Sequence, residues 1–280
     1  MIGTTNITAH GKGVSQDAIL SLSCNLMDSI VISDGATSSL NSGFGAQVLV
    51  NTATWALRNL NKEIVEDPKE FVCAVVNNAK SIIQIAGFPS SVKKYRFENV
   101  AASVLDATLL VLARYKDTGR AFIYVFGDGS YFYRFKNKPL QLCTVISYSD
   151  SKASYPYFAR DFAENRPYPY LTKKARYDRG DVVHEFEKPY DSVIQGLFEG
   201  LELELIGIAS DGLTSFTNVS IMGSEPEDAH KMAELFTNFK TKVGNVVDIR
   251  VKASMKRMRQ PTEGKHVTNI DDFTMGVMAT

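Results

Sequence analysis

Four apolar segments of this 280-residue chain run into an aspartate, and the residue beside it is usually glycine. They are "IVISDGA" (Asp34, Gly35), "IYVFGDGS" (Asp128), "IGIASDGL" (Asp211, Gly212) and "TNIDDFTMGVM" (Asp271, Asp272). A fifth acid, Asp17 in "GKGVSQDAIL", stands just before another apolar run. Taken singly, Asp-Gly is an ordinary turn dipeptide. Three of these acids, however, follow nearly unbroken apolar runs rather than the alternation of an exposed hairpin. If the strand ends converge, the carboxylates repel and raise one another's pKa values. A hard divalent cation removes that conflict, because magnesium and manganese take oxygen ligands from carboxylates, carbonyls and water. Glycine beside the acid leaves room for the backbone to approach an ion. Two such ions can activate a bridging water and stabilise an oxyanion leaving phosphorus, so the chemistry that fits is metal-assisted hydrolysis of a phosphate ester.

The elements that would position these acids read as follows. "MIGTTNITAH" alternates as a strand, and "AILSLSCNLMDSIVISDG" as two strands with a turn near Asn25 to Asp28. Apolar residues recur at helical spacing from Phe44 to Leu60, with Trp55 on the apolar face and expected in the core. "DPKEFVCAVVNNAKSIIQIA" opens on Asp-Pro and predicts a helix over 67–86. After a polar turn around 88–99, "ASVLDATLLVLARY" and "GRAFIYVFGDGSYFYRFKNKPLQL" predict strands, with hairpin turns at 116–119 and 135–138. Residues 146–190, rich in Tyr, Pro, Ser, Lys and Asp, predict an irregular excursion with short edge strands, either a functional flap or a surface insertion. "LELELIGIASDG" predicts a strand, 225–241 and the segment after Gly244 helices, and "NIDDFTMGVMAT" a final strand. Consecutive strands joined by hairpins, with helices in adjacent pairs, predict an α+β fold: a four-layer α/β/β/α sandwich of two antiparallel sheets flanked by helices, built by residues 1–280 as one domain.

Composition excludes several classes. Lys+Arg and Asp+Glu both number 31, so no global charge draws the chain to nucleic acid or to an anionic membrane. The basic cluster "VKASMKRMRQ" reads as the solvated face of a helix. Three scattered cysteines without metal spacing predict reduced, buried thiols. No charged region followed by an apolar run marks a signal peptide, and no apolar stretch approaches the ~20 residues of a membrane span. The expectation is a cytoplasmic monomer.

The motifs, in order and nearly end to end, resemble those of the metal-dependent protein serine/threonine phosphatases of type 2C, the PPM family, in its bacterial branch. "AHGKGVSQDA" is similar to the opening motif and "ISDGATSSLNSGFGA" to the Asp-Gly motif. "ATLLVLARY" and "YVFGDGSYFYR" resemble the paired central strands, "IASDGLTSF" the Ser-Asp-Gly motif, and "DDFTMGVM" the terminal strand. The resemblance implies a dinuclear Mg2+ or Mn2+ site in which Asp34 bridges both ions and the Gly35 carbonyl binds one. It implies that Asp211 and Asp271 complete the other ion's shell, that Asp17 contacts the second ion directly or through water, and that Asp128 with Asp211 holds a weaker third ion. Lys12 stands where relatives place a phosphate-binding arginine, and the excursion at 146–190 where they carry a variable flap. Asp128 reads equally as a hairpin residue, Lys12 equally as a surface lysine, and Asp272 as a hydrogen-bonding partner.

Departures from the family pattern are Gln16 for a glutamate, Ala36 for a histidine proposed as general acid, Lys12 for the arginine, and Ser215 for another acid. A metal-bound water is then the default proton donor, with His10 and His266 as outside candidates. The implied activity is hydrolysis of phosphoserine and phosphothreonine, with a Ser/Thr kinase or its targets as partner. The alternatives are a catalytically weak or inactive regulatory module of the same fold, and a phosphohydrolase of small metabolites.

Overall fold

The structure is a computed structural model. It describes residues 1–9, 13–37, 39, 41–86, 97–147, 156, 171–178, 181–189, 194–198, 202–218, 220, 226–239, 245–260 and 266–279. Lys12 and His10 therefore lie outside the described residues, as does much of the 146–190 excursion.

Side-chain alternation along the strands decides the layers. In β5 (Ala121–Phe126) every residue is buried. Phe122, Tyr124 and Phe126 enter one apolar cluster, and Ala121, Ile123 and Val125 another. A strand buried on both faces must lie between two layers. Its neighbours β4 (Leu109–Tyr115) and β3 (Met27–Ser33) repeat the division, with Val111 and Val31 on one side and Leu112 and Ile30 on the other. With β2 (Ala18–Ser23) and β10 (Ile194–Phe198) they form a five-stranded antiparallel sheet, order β10-β5-β4-β3-β2.

The second sheet has seven strands in the order β1-β14-β11-β6-β7-β8-β9, also antiparallel. They are β1 (Ile2–Ile7), β6 (Gly129–Phe135), β7 (Gln141–Ser147), β8 (Leu171–Asp178), β9 (Asp181–Pro189), β11 (Leu203–Ala209) and β14 (Phe273–Ala279). Ile206, Ile208 and Met278 meet the five-stranded sheet between the layers, while Leu205, Ala209, Met275 and Val277 face outward. A register shift between Leu203 and Leu205 lets Leu203 face inward and Leu205 outward. A short pair, β12 (Phe216–Asn218) with β13 (Val267–Asn269), stands apart.

Helices close both outer faces. Over the five-stranded sheet lie α1 (Ser42–Asn59), α2 (Lys62–Glu66), α3 (Pro68–Ala86) and α4 (Phe97–Val104). Over the seven-stranded sheet lie α5 (Ala229–Thr237) and α6 (Val246–Met258). The four layers are those expected, and both hairpin turns form: Gly119 N–H donates to Tyr115 O (3.0 Å) and Lys138 N–H to Phe135 O (3.0 Å).

Three local expectations are corrected. Residues 97–104 are helical, where a polar turn running into a strand was expected. Val100, Ala101, Val104 and Leu105 repeat at helical spacing and fill the cluster under α1, and the chain breaks at Asp106 before β4. Trp55, expected in the core, is 48% exposed, because α1 turns Val48, Leu49, Thr52, Ala53, Ala56 and Leu57 inward. Within 146–190 the described part is regular: β8 and β9 form a hairpin that extends the sheet beyond β7. None of the three thiols is in a disulfide; Cys143 is buried, and Cys24 and Cys73 are only half-buried.

Candidate active site

Strand pairing brings the acidic ends together. β2 and β3 are antiparallel with Ala18 opposite Ser33, so Asp17 and Asp34 stand side by side at one end of the five-stranded sheet. In the other sheet Ala209 pairs with both Met275 and Ser130. Asp211, Asp272 and Asp128 therefore share an end, each two or three residues beyond those partners. The two ends meet: the Asp34 carboxyl interacts directly with both Asp17 and Asp211.

The electrostatics follow from that crowding. Burial first, then the charges of Asp17 and Asp211, push the Asp34 carboxyl far above the usual carboxylate range. Burial also raises Asp17, to about 6, with the Asp272 charge adding to it and the Ser210 hydroxyl and the Asp34 carboxyl acting in the opposite sense. Without a cation, that crowding favours the protonated form of Asp34.

Each acid is held from behind. Asp34 N–H donates to Thr108 Oγ1 (3.0 Å), Thr108 N–H donates to Asp34 O (2.9 Å), and Ser33 Oγ donates to Thr108 O (2.5 Å). Gly35 bridges Ala107, and Ala36 N–H donates to Asp106 O (2.9 Å). Asp17 Oδ2 accepts from Ser210 Oγ (2.9 Å), which itself accepts from Thr274 N–H (3.0 Å). Asp211 opens a 3-10 turn, Asp211–Thr214, whose carbonyls take the hydroxyls of Thr214 (2.7 Å) and Ser215 (2.8 Å). Beneath that turn Phe216, Phe236 and Phe273 pack with ring centroids 5.3 to 5.4 Å apart.

The glycines have a tighter reason than access for an ion. A Cβ on Gly35 would fall 2.7 Å from the Ser42 carbonyl carbon, and one on Gly212 1.8 Å from the Asp272 carbonyl oxygen. The chain's own backbone needs the space.

The other sequence candidates are placed as follows. Asp271 Oδ1 accepts from Asp272 N–H (2.9 Å), and Asp271 N–H donates to Ser215 Oγ (3.3 Å), which ties it to the Asp211 turn. Asp128 lies half-buried in the turn between β5 and β6. Asp272, 2% exposed, accepts from Ala9 N–H and Gln16 N–H (both 2.7 Å), so it clamps the two ends of the segment leading to Asp17. Ser210, Thr108 and Asp106 were not singled out in the sequence. A serine before Asp-Gly, or a threonine and an acid at the start of an apolar run, carries no signal until the strands are paired.

Among the described residues no three His, Cys, Asp or Glu side chains stand arranged as a ready metal cage. The donor set nevertheless suits a hard divalent cation. It is all carboxylate oxygen, it is crowded enough to hold a proton against bulk water, and Asp17 Oδ1 is buried with no donor from the rest of the chain.

Residues 3–168 match the sequence pattern of protein phosphatase 2C, more than half of the chain. The chain belongs to the protein phosphatase 2C family. Solved structures that share the fold include the phosphatase domain with a fragment of the regulatory domain of SpoIIE from Bacillus subtilis, 14% identical with a TM-score of 0.50 over 99% of this chain. This chain spans only 62% of that one's length. The serine/threonine phosphatase Stp1 from Staphylococcus aureus is 11% identical with a TM-score of 0.52, covering 100% of this chain and 94% of its own. PppA from Pseudomonas aeruginosa is 16% identical with a TM-score of 0.50, covering 100% and 97%. No curated protein sequence matches. The two-sheet sandwich with outer helices is thus the protein phosphatase 2C fold, and the acids at its strand ends lie where the two sheets meet.

Proposed function

We propose that this chain is a metal-dependent protein serine/threonine phosphatase, a single-domain cytoplasmic enzyme that hydrolyses phosphoserine and phosphothreonine on a kinase or its targets. The observation that carries this reading is the direct contact of Asp34 with Asp17 and Asp211 across the meeting of the sheets, in a chain of the protein phosphatase 2C family. In this reading Asp34, Asp211 and Asp271 would hold one Mn2+ or Mg2+ ion, Asp34 and the Gly35 carbonyl, with Asp17 directly or through water, a second, and Asp128 with Asp211 a weaker third. Cations bound there would supply an activated water and offset the charge of the phosphoryl group.

The chain's own residues fix the direction of approach. Ser210 occupies one oxygen of Asp17 and leaves the other for a ligand. Thr108 holds Asp34 through backbone and side chain, so the carboxyl projects from a rigid strand end. Ala36 brings no ionisable group to the position after Gly35, so no side chain there donates a proton to the leaving alkoxide. Lys12 remains the proposed phosphate contact.

The test is phosphate release from a phosphothreonine peptide by purified protein with manganese, against the same protein in EDTA. Activity should require the metal, and Asp34→Asn should remove about 100-fold or more, given that outer-shell losses alone reach 10–100-fold. Manganese binding without peptide cleavage would favour the regulatory module. Cleavage of small phosphomonoesters in preference to peptides would favour a metabolite phosphohydrolase.

A further inference from the structure

We infer that Asp106 is a positioning residue that presets Asp34 and Gly35 for their ligand role. The inference rests on the reading of those two as ligands given above. Asp106 sits where α4 ends and β4 has not begun, and it is 1% exposed. A carboxylate buried to that degree is costly unless hydrogen bonds compensate it. Nothing in the acidic cluster requires it, since Asp34 already faces Asp17 and Asp211. Its partners lie instead in the loop that follows Asp34.

Three consecutive residues, Asp106 to Thr108, run alongside Ser33 to Ala36. Thr108 is bonded to Ser33 and twice to Asp34, Ala107 bridges Gly35, and Asp106 O accepts from Ala36 N–H. The Asp106 side chain extends this ladder by one more rung, because its Oδ2 accepts from the Ser39 hydroxyl. Ser39 N–H in turn donates to Ala36 O (3.0 Å), and Ser42 Oγ donates to the same carbonyl (2.6 Å). Ala36 is thereby fixed on both sides, and the peptide between Gly35 and Ala36, which carries the Gly35 carbonyl, has little freedom to turn. Hydrogen bonds to a carboxylate are roughly twice as strong as neutral ones, which is the reason for an acid at this buried position. Groups that orient metal ligands are worth about 10–100-fold in metal affinity.

The test is calorimetric manganese binding by the full chain, with circular dichroism reporting the fold of each variant. Asp106→Ala should weaken manganese binding by about 10–100-fold. Ser39→Ala should weaken it through the same hydrogen bond, and the double variant should be no weaker than Asp106→Ala alone. Asp106→Asn, which keeps an acceptor oxygen, should recover most of the affinity. If Asp106→Ala does not fold, Ser39→Ala on the half-buried loop decides the matter alone. Parental affinity in folded Asp106→Ala or Ser39→Ala, or additive losses in the double variant, would overturn the inference while leaving the ligand reading intact. A parent chain that binds no manganese would remove the ligand reading itself, and this inference with it.

Discussion

Without a cation, the proton on Asp34 links stability to pH. The folded-state pKa of Asp34 lies far above its unfolded value, and that of Asp17 rises from 3.8 to about 6, through burial and through the charges of Asp17, Asp211 and Asp272. A raised carboxyl pKa stabilises the fold below the unfolded value, and the contribution is lost as pH climbs through the folded value. In EDTA the urea midpoint should therefore fall from pH 5 to pH 8, the unfolding free energy dropping by about 1.4 kcal/mol per pH unit for each proton retained on folding. Asp34→Asn should flatten that slope; a parent midpoint that rises or stays level would contradict the shared-proton description. Asp34 and Asp211 were legible in the sequence because apolar runs ending on Asp-Gly are unusual for exposed turns, and Asp17 because it stands just before another apolar run. Asp106 and Ser210 were not, because a buried acid and a serine become informative only when their partners, 67 and 193 residues away, are known.

At the scale of elements, α1 decides how the Asp34 loop sits, since its first residue abuts Gly35 and its fourth abuts α4. A Cβ on Gly45 would stand 1.6 Å from Val104 O, a backbone atom that cannot swing aside. Helix propensity alone would make Gly45→Ala stabilising by about 1 kcal/mol. The clash forces α1 and α4 apart and should reverse the sign, with a net loss of roughly 1–3 kcal/mol in urea unfolding. A stabilised variant would mean the two helices are not in contact as described. The pair also explains why the sequence misleads here. Val100 to Leu112 is nearly continuous apolar chain, so a helix of two turns and the strand after it read as one run. Only the docking of α4 on Gly45 separates them.

The layers of the whole molecule were legible because nearly unbroken apolar runs in β3, β4 and β5 demand a covering layer on each face. The order of strands was not: β1 pairs with β14 through Ile2 and Met278, and no local pattern announces a partner at the other end of the chain. That arrangement has a consequence for the site. Asp34 belongs to the end of the five-stranded sheet and Asp211 to that of the seven-stranded one, so a cation held by both would fasten the sheets to each other. Binding to the folded state alone stabilises by about 2.7 kcal/mol when the free ion is at 100 times its Kd. For a chain of this size each kcal/mol moves the melting temperature by about 2–4 °C, which makes the expected rise roughly 5–10 °C. Scanning calorimetry with and without manganese measures it. Asp34→Asn and Asp211→Asn, one change in each sheet, should both abolish the rise. Survival of the full shift in either variant would place the ion within one sheet and break the account of a site shared between them.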